Sequence, residues 1–217
     1  MRTGTWIQTF SPKPFDTSAM LLHEALKGRR IVLGSASPRR RELLAGLGLE
    51  FTVEATPGAP ETYSPTLMPD EVPAALAVSK SDGFHRPLEP DEILITADTV
   101  VICGEDILGK PSDREDAARM LRELSGRTHR VVTGVCLRDN TRRHVFSCTS
   151  EVEFKSLAEE EISYYIDRWR PFDKAGSYGI QEWIGYIGIT SIRGSYFNIV
   201  GLPVQRLYTA LCEFIGQ

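Results

Sequence analysis

The 217-residue sequence has few cysteines, and their spacing matches neither a metal nor a redox motif. Cys103, Cys136, Cys148 and Cys212 form no CxxC pair and have no histidine at zinc spacing, so we expect buried free thiols. A basic excess is also missing, because 25 Lys and Arg stand against 29 Asp and Glu, a net charge of −4. We therefore expect no nucleic-acid polymer as a partner, whereas a local basic cluster could still bind a small anion.

Long apolar runs are absent as well. No segment approaches the roughly 20 apolar residues of a membrane span, and the N-terminal segment lacks the apolar stretch of a secretory signal. We expect a cytoplasmic protein with no membrane partner. Residues 1–19 are polar, hold two prolines and show no periodicity. They are predicted to be a flexible, dispensable extension, and residues 20–217 a single domain.

The rest of the chain alternates between strand and helix patterns. The strand patterns are "RIVLG", "EFTV", "EILITAD", "HRVVTGVCLR" and "RHVFSCTSEVEF", and the last helix is "VQRLYTALCEFI". The segment "VVICGEDIL" predicts a separate hairpin. Capping boxes of Ser112 with Glu115, and of Ser156 with Glu159, predict two helix starts. This alternation favours an α/β fold with a mixed sheet.

The first candidate site is a group of positive charges at a predicted helix start, in "GSASPRRRELL". Ser37 suits the N-cap and Pro38 the first helical position. Arg39 and Arg40 are unfavourable beside an electropositive helix N-terminus unless an anion binds there. With Ser35, this turn predicts a phosphate site in preference to a solvated basic face. It is neither a P-loop nor a GxGxxG turn.

Three later segments could also carry chemistry. Asp98, in "ITADTVVI", follows an apolar strand at the position where α/β sheets bind ligands, which favours catalysis over a turn-forming role. Lys110, in "ILGKP", is a weaker signal because lone exposed lysines are usually only solvated. In "DKAGSYGIQ", Gln181 offers a donor and an acceptor side by side, which matches the N3–H and O4 edge of uracil or thymine.

Together these segments resemble one family over roughly residues 29–217. "SASPRRRELL", "ADTVV", "LGKP", "HRVVTGV", "DKAGSYGIQ" and "GSYFNIVGLP" are similar, in order and spacing, to the Maf-like nucleotide pyrophosphatases. The resemblance implies a long, curved mixed β-sheet with flanking helices, two lobes around a cleft and a fold related to inosine triphosphatases, usually in a homodimer. It implies hydrolysis of a nucleoside triphosphate to the monophosphate and pyrophosphate.

Three positions are similar to the family's dTTP/UTP subgroup rather than its 7-methyl-GTP subgroup. They are Arg39, Thr99 and Gln181. The resemblance also implies that Asp98 accepts the proton of the attacking water, and that a divalent cation (Mg²⁺ or Mn²⁺) binds at Asp98 and Glu61. Where the family often has an Asp-Glu pair, Pro60 precedes Glu61 here. The phosphate-binding residues it implies are Ser35, Ser37, Arg40, Lys80 and Lys110.

Two other functions stay open at this point. One is a regulatory binding protein of cell division, suggested by the family's older septum-inhibition label. The other is a purine-directed house-cleaning pyrophosphatase of the inosine-triphosphatase kind. Pyrophosphate release separates the first from an enzyme, and a panel of ITP and XTP against dTTP and UTP separates the second.

Overall fold

The computed structural model describes residues 21–55 and 62–216, and within them seven strands form one mixed sheet. The strands are β1 (Arg30–Leu33), β2 (Phe51–Val53), β3 (Glu92–Cys103), β4 (Asp106–Leu108), β5 (Thr128–Arg138), β6 (Arg143–Phe154) and β7 (Ile189–Arg193). The helices are α1 (Leu22–Ala25), α2 (Pro38–Ala45), α3 (Val72–Asp82), α4 (Arg114–Leu124), α5 (Glu159–Trp169), α6 (Trp183–Gly188), α7 (Tyr196–Val200) and α8 (Val204–Ile215). The strand order is β2-β1-β3-β5-β6-β7, with β4 paired to β3, so the expected mixed sheet with flanking helices is confirmed.

Strand β3 is the centre of the sheet and also the place where it divides. One edge of β3 pairs with β5 from residue 94 to residue 102. The opposite edge is shared, because β1 pairs in parallel with residues 92–95 and β4 pairs antiparallel with residues 101–103. Between these two partners, residues 96–100 have no strand beside them on that edge in the described part of the chain. The gap opens a cleft against the main chain of β3.

Two apolar cores lie on either side of this cleft and define two lobes. The first packs α1, α2 and α8 against β1, and Leu33, Leu44 and Leu207 are fully buried there. The second packs α4 and α5 against β4 and the end of β3, around Leu121 and Tyr165. Because helices cover both faces, β3 is an almost continuous run of buried residues rather than an alternating one.

The hairpin predicted in "VVICGEDIL" is confirmed, but its first strand is not separate from "EILITAD", because both are parts of β3. Twelve residues continue without a break from Glu92 to Cys103, and the chain then reverses through Gly104 and Glu105 into β4. Asp98 therefore lies in the middle of a strand and not at its end. It faces the cleft because β1 stops pairing at residue 95.

Helix α2 begins as predicted, whereas the two capping boxes were placed wrongly. The N-cap of α4 is Asp113, which accepts a bond from the Asp116 N–H at 2.8 Å, one residue after the predicted Ser112. The first turn of α5 follows Ala158, two residues after the predicted Ser156.

Contacts with the α4–β5 loop explain why α5 starts later than the sequence predicted. The Gly126 N–H donates to the carbonyl of Lys155, and the Ser125 hydroxyl accepts from the Leu157 N–H at 2.7 Å. These bonds hold residues 155–157 extended, so the helix starts later.

The remaining sequence expectations concern thiols, termini and the glycine-rich stretch. All four cysteines are free; three are buried and Cys148 is half-buried, and burial raises the pKa of each thiol. Residues 1–20 and Glu61 lie outside the described residues. No helix in the described part of the chain is long and apolar enough to cross a membrane. The glycine-rich stretch is residues 173–203, to which the sequence analysis assigned no element, and it contains α6, β7 and α7.

Candidate active site

A cavity of about 720 Å³ occupies the gap beside β3. Its lining includes every predicted site residue in the described part of the chain: Ser35, Ser37, Arg39, Arg40, Lys80, Asp98, Thr99, Lys110 and Gln181. Asp98 and Thr99 are neighbours in a strand, so their side chains point to opposite faces of the sheet. Both line the same cavity because the open edge of β3 exposes both faces of the strand to it.

Helix α3 brings Lys80 to the Asp98 face. The buried Thr96 hydroxyl donates to the Ala77 carbonyl at 2.7 Å, which anchors the helix on β3. One turn later, the Lys80 ammonium donates to Asp98 Oδ1 in a short ion pair. Asp98 is only 8% exposed, so this pair is screened by few waters and holds the carboxylate in one orientation.

The basic turn before α2 supplies the Thr99 face. Ser37 caps the helix by accepting from the Arg40 N–H, and its own N–H donates to Ser35 Oγ at 3.3 Å. The Arg40 guanidinium donates Nε to the carbonyl of Gly201 at 2.9 Å, Nη1 to Ser35 Oγ at 3.4 Å and Nη2 to Thr99 Oγ1 at 3.1 Å. Arg40 is thus held as a fork beside the helix N-terminus, where the N–H groups of the first turn favour an anion.

Behind Thr99, hydroxyl groups continue into the core. Thr99 Oγ1 and Thr133 Oγ1 are 2.9 Å apart, and Thr133 also donates to the carbonyl of Asn198 at 3.2 Å. The fully buried Asn198 amide donates in turn to Val131 and Ser150, both at 3.0 Å. Thr99 thus joins Arg40 to this buried network. Its position after Asp98 in the sequence did not suggest that role.

A chain of charges links the two walls of the cavity. Arg39 Nη1 donates to Asp173 Oδ2 at 2.8 Å, and Lys174 Nζ donates to Asp173 Oδ1 at 2.7 Å and lies 3.0 Å from Glu182 Oε1. Burial favours the neutral form of Asp173, but hydrogen bonds from Lys174 and Arg39 outweigh it and lower its pKa to about 2. The Asp173 carboxylate is therefore ionised at neutral pH and ties α2 to the loop that carries Gln181.

The cavity also has an apolar section, which the sequence did not identify. Its walls include Val101, Val131, Tyr178, Ile180 and Ile199. These residues come from separate segments, and only the folded sheet brings them beside the charged end. An apolar compartment next to a few fixed polar groups is typical of small-molecule sites, and the volume is in their usual range.

The sequence also missed several polar residues that hold the site together. Thr133 lies in "HRVVTGV", and Asn198 and Gly201 lie in "GSYFNIVGLP", segments that were noted for their resemblance but given no role. The only signal in the sequence was their presence in those segments. Tyr165 and Glu182 gave no such signal.

The described residues do not form a metal site by themselves. No group of three or more His, Cys, Asp or Glu side chains among them could hold an ion. Mg²⁺, however, commonly binds through one or two carboxylates together with substrate phosphates and water. Asp98, a carboxylate in a cavity lined by cationic groups, fits that kind of site.

Comparison with known sequences decides the family. The model of the family described as "Maf-like protein" matches residues 30–214. The chain belongs to this family. A dTTP/UTP pyrophosphatase of Porphyromonas gingivalis is 55% identical over 191 residues, covering 87% of this Maf-like chain and 96% of that protein.

Two further comparisons show how far the similarity extends. A dTTP/UTP pyrophosphatase of Christiangramia forsetii is 43% identical over 197 residues, covering 91% of this Maf-like chain and 100% of that protein. Among solved structures, a HAM1 protein from Coxiella burnetii aligns with a TM-score of 0.42 and 14% identity, covering 85% of this chain and 99% of that one. The family assignment rests on the sequences alone.

Proposed function

We propose that this Maf-like protein is a nucleoside triphosphate pyrophosphatase that hydrolyses dTTP and UTP to the monophosphate and pyrophosphate. The observation that carries the proposal is the Asp98–Lys80 pair at the open edge of β3, in one cavity with the Arg40 fork and the N-terminus of α2. Close relatives named dTTP/UTP pyrophosphatase support the choice of substrates.

In the proposed mechanism, Asp98 accepts the proton of the water that attacks the α-phosphorus. Lys80 binds one oxygen of the Asp98 carboxylate, Oδ1, and this bond fixes the direction in which the second oxygen points. As the bond to pyrophosphate breaks, negative charge grows on the phosphoryl oxygens. Arg39, Arg40 and Lys110 line the same cavity, and in this proposal they stabilise that charge.

A divalent cation, Mg²⁺ or Mn²⁺, is part of the proposal. When bound beside Asp98, and at Glu61 if that residue also contributes, it would add positive charge against the phosphates.

The cytoplasmic location expected from the sequence belongs to the same proposal, as does the homodimer. Strand β7 is an edge strand, and the neighbouring Tyr196 and Phe197 are 42% and 48% exposed, which makes this region the first to examine for a dimer contact.

The test of the function is pyrophosphate release from dTTP, UTP, CTP, ITP and XTP by the purified protein. We expect turnover of dTTP and UTP well above the others. A preference for ITP or XTP would support the purine-directed alternative instead. Release from none of the five would contradict an enzymatic role and favour a regulatory binding protein.

Gln181 provides the sharper test of the base. Its amide can donate to O4 and accept from N3–H of uracil, whereas cytosine presents the reverse pattern. Gln181→Glu replaces the donor with a carboxylate, so we expect a loss of about 1–3 kcal/mol in transition-state binding of UTP.

The measurement is the kcat/KM ratio of UTP over CTP in both proteins. Gln205→Glu, an exposed change on α8, is the matched control and should leave that ratio unchanged. If Gln181→Glu lowers activity on both nucleotides equally, Gln181 only braces its loop.

A further inference from the structure

The backbone around Gln181 forms a tight turn with little freedom. The Glu182 N–H donates to the Gly179 carbonyl at 3.0 Å, which closes a four-residue β-turn with Gln181 at its third position. A Cβ added at Gly179 would lie 2.8 Å from Glu182 Cδ, a distance that Cβ atoms in real structures essentially never show. The position of the Gln181 amide therefore depends on whatever fixes the two ends of this turn.

One hydroxyl, on Tyr165 of α5, contacts both ends. It accepts from the Gly179 N–H at 3.0 Å and donates to Glu182 Oε2 in a short bond. The Tyr165 side chain is fully buried, and its ring lies 5.7 Å from that of Trp169 in a stacked arrangement. Burial, together with the hydrogen bond to Glu182, raises the pKa of Tyr165 above its usual range, so its hydroxyl stays protonated and able to donate.

The second oxygen of Glu182 connects the turn to the charged chain across the cavity. Lys174 Nζ lies 3.0 Å from Glu182 Oε1, and the Lys174 side chain is only 11% exposed. Through Asp173 this chain reaches Arg39 on α2. The turn is thus held from inside the second lobe by Tyr165 and from the cleft by Lys174.

We propose that Tyr165, acting through Gly179 and Glu182, is a positioning residue that sets where Gln181 stands and so determines the selectivity for uracil over cytosine. Tyr165 does not line the cavity and need not touch the nucleotide. The inference rests on the proposed function, because it deepens the role given there to Gln181. Without the hydroxyl, both ends of the turn lose a bond at once, and the amide no longer has one preferred position.

The test is Tyr165→Phe, which removes the hydroxyl and keeps the packed ring. We expect the UTP over CTP ratio of kcat/KM to fall roughly 5- to 30-fold, the factor that 1–2 kcal/mol of lost hydrogen bonding represents. The matched control is Tyr208→Phe on α8, where the hydroxyl accepts from the Leu22 N–H at 3.3 Å, outside the cavity lining. The control should leave the ratio unchanged.

A double-mutant cycle separates positioning from a general loss of structure. In a Gln181→Ala background, Tyr165→Phe should have no further effect on the ratio, because the group it positions is gone. An unchanged ratio in Tyr165→Phe, or an equal effect with and without Gln181, would overturn the inference.

Two further outcomes are interpreted separately: a Tyr165→Phe protein that does not fold, and a wild-type protein that does not hydrolyse UTP. If Tyr165→Phe fails to fold, Glu182→Ala is the second variant, because it removes the acceptor of the Tyr165 hydroxyl at one end of the turn and leaves the tyrosine ring in place. A ratio that stays at the wild-type value in Glu182→Ala would overturn the inference as well. If the wild-type protein does not hydrolyse UTP, the proposed function itself fails. A wild-type preference for UTP that survives in the variants contradicts only the role of Tyr165.

Discussion

Replacing Gly134 with alanine should displace α3 from the sheet and separate Lys80 from Asp98. Gly134 pairs with Asp98 in the β3–β5 register, and α3 crosses β5 directly over it. A Cβ built on Gly134 would lie closer than 3.0 Å to backbone atoms of Pro73 and Ala74, a distance that real Cβ atoms essentially never show. Because these neighbours are backbone atoms, no rotamer change can relieve the contact.

The expected cost is at the upper end of the overpacking range, about 3 kcal/mol. For a protein of this size that corresponds to a fall in Tm of about 6–12 °C. Turnover should fall more than stability alone explains, because a shift of α3 moves the Lys80 ammonium away from Asp98 Oδ1.

The assay is thermal unfolding together with kcat on UTP, measured well below both Tm values. Gly83→Ala is the control. Gly83 follows α3 with a φ of −79°, and an added Cβ would meet only the Ser79 carbonyl at 3.3 Å. That change should leave Tm and kcat close to wild type. A wild-type Tm and kcat in Gly134→Ala would refute the packing argument.

Three further predictions test single side chains. Asp98→Asn should fold normally and lose about 10²–10⁴-fold in kcat; more than about a third of wild-type turnover would show that Asp98 is not the base. Thr133→Val removes the hydroxyl 2.9 Å from Thr99 Oγ1, and we expect KM for UTP to rise about fivefold as the Arg40 fork loosens; a change in kcat alone would contradict this. Burial lowers the pKa of His129 to about 4, below the unfolded value of about 6.5. The unfolded chain thus binds more protons between these values, and stability should fall by about 3 kcal/mol as pH drops from about 6.5 to about 4. His129→Phe should lack that segment of the stability–pH curve measured by urea unfolding, and an identical curve would contradict it.

Local chemistry in the sequence was enough to predict where the basic turn before α2 ends in a helix, and to predict most of the other elements. The cap at Ser37 and the proline after it depend on backbone geometry within four residues, and α2 begins there. The final helix has the bounds that its apolar periodicity predicts. Where a distant contact competes, local signals fail: Ser125 bonds to Leu157 and shifts the start of α5. Strand β7 was missed because all of its residues are at least partly exposed and show no alternation.

Only the tertiary structure decided how the cavity forms. The sequence pattern predicts that Asp98 ends a strand. In the structure it faces a cleft in mid-strand, because β1 and β4 leave a gap on one edge of β3. Pairing between strands far apart in the chain is not visible in either strand alone. The same reason applies to Tyr165, whose hydroxyl meets Gly179 and Glu182 only after α5 has packed against that loop. Residue types and short-range spacing thus determined which groups are available, and long-range packing determined which of them meet.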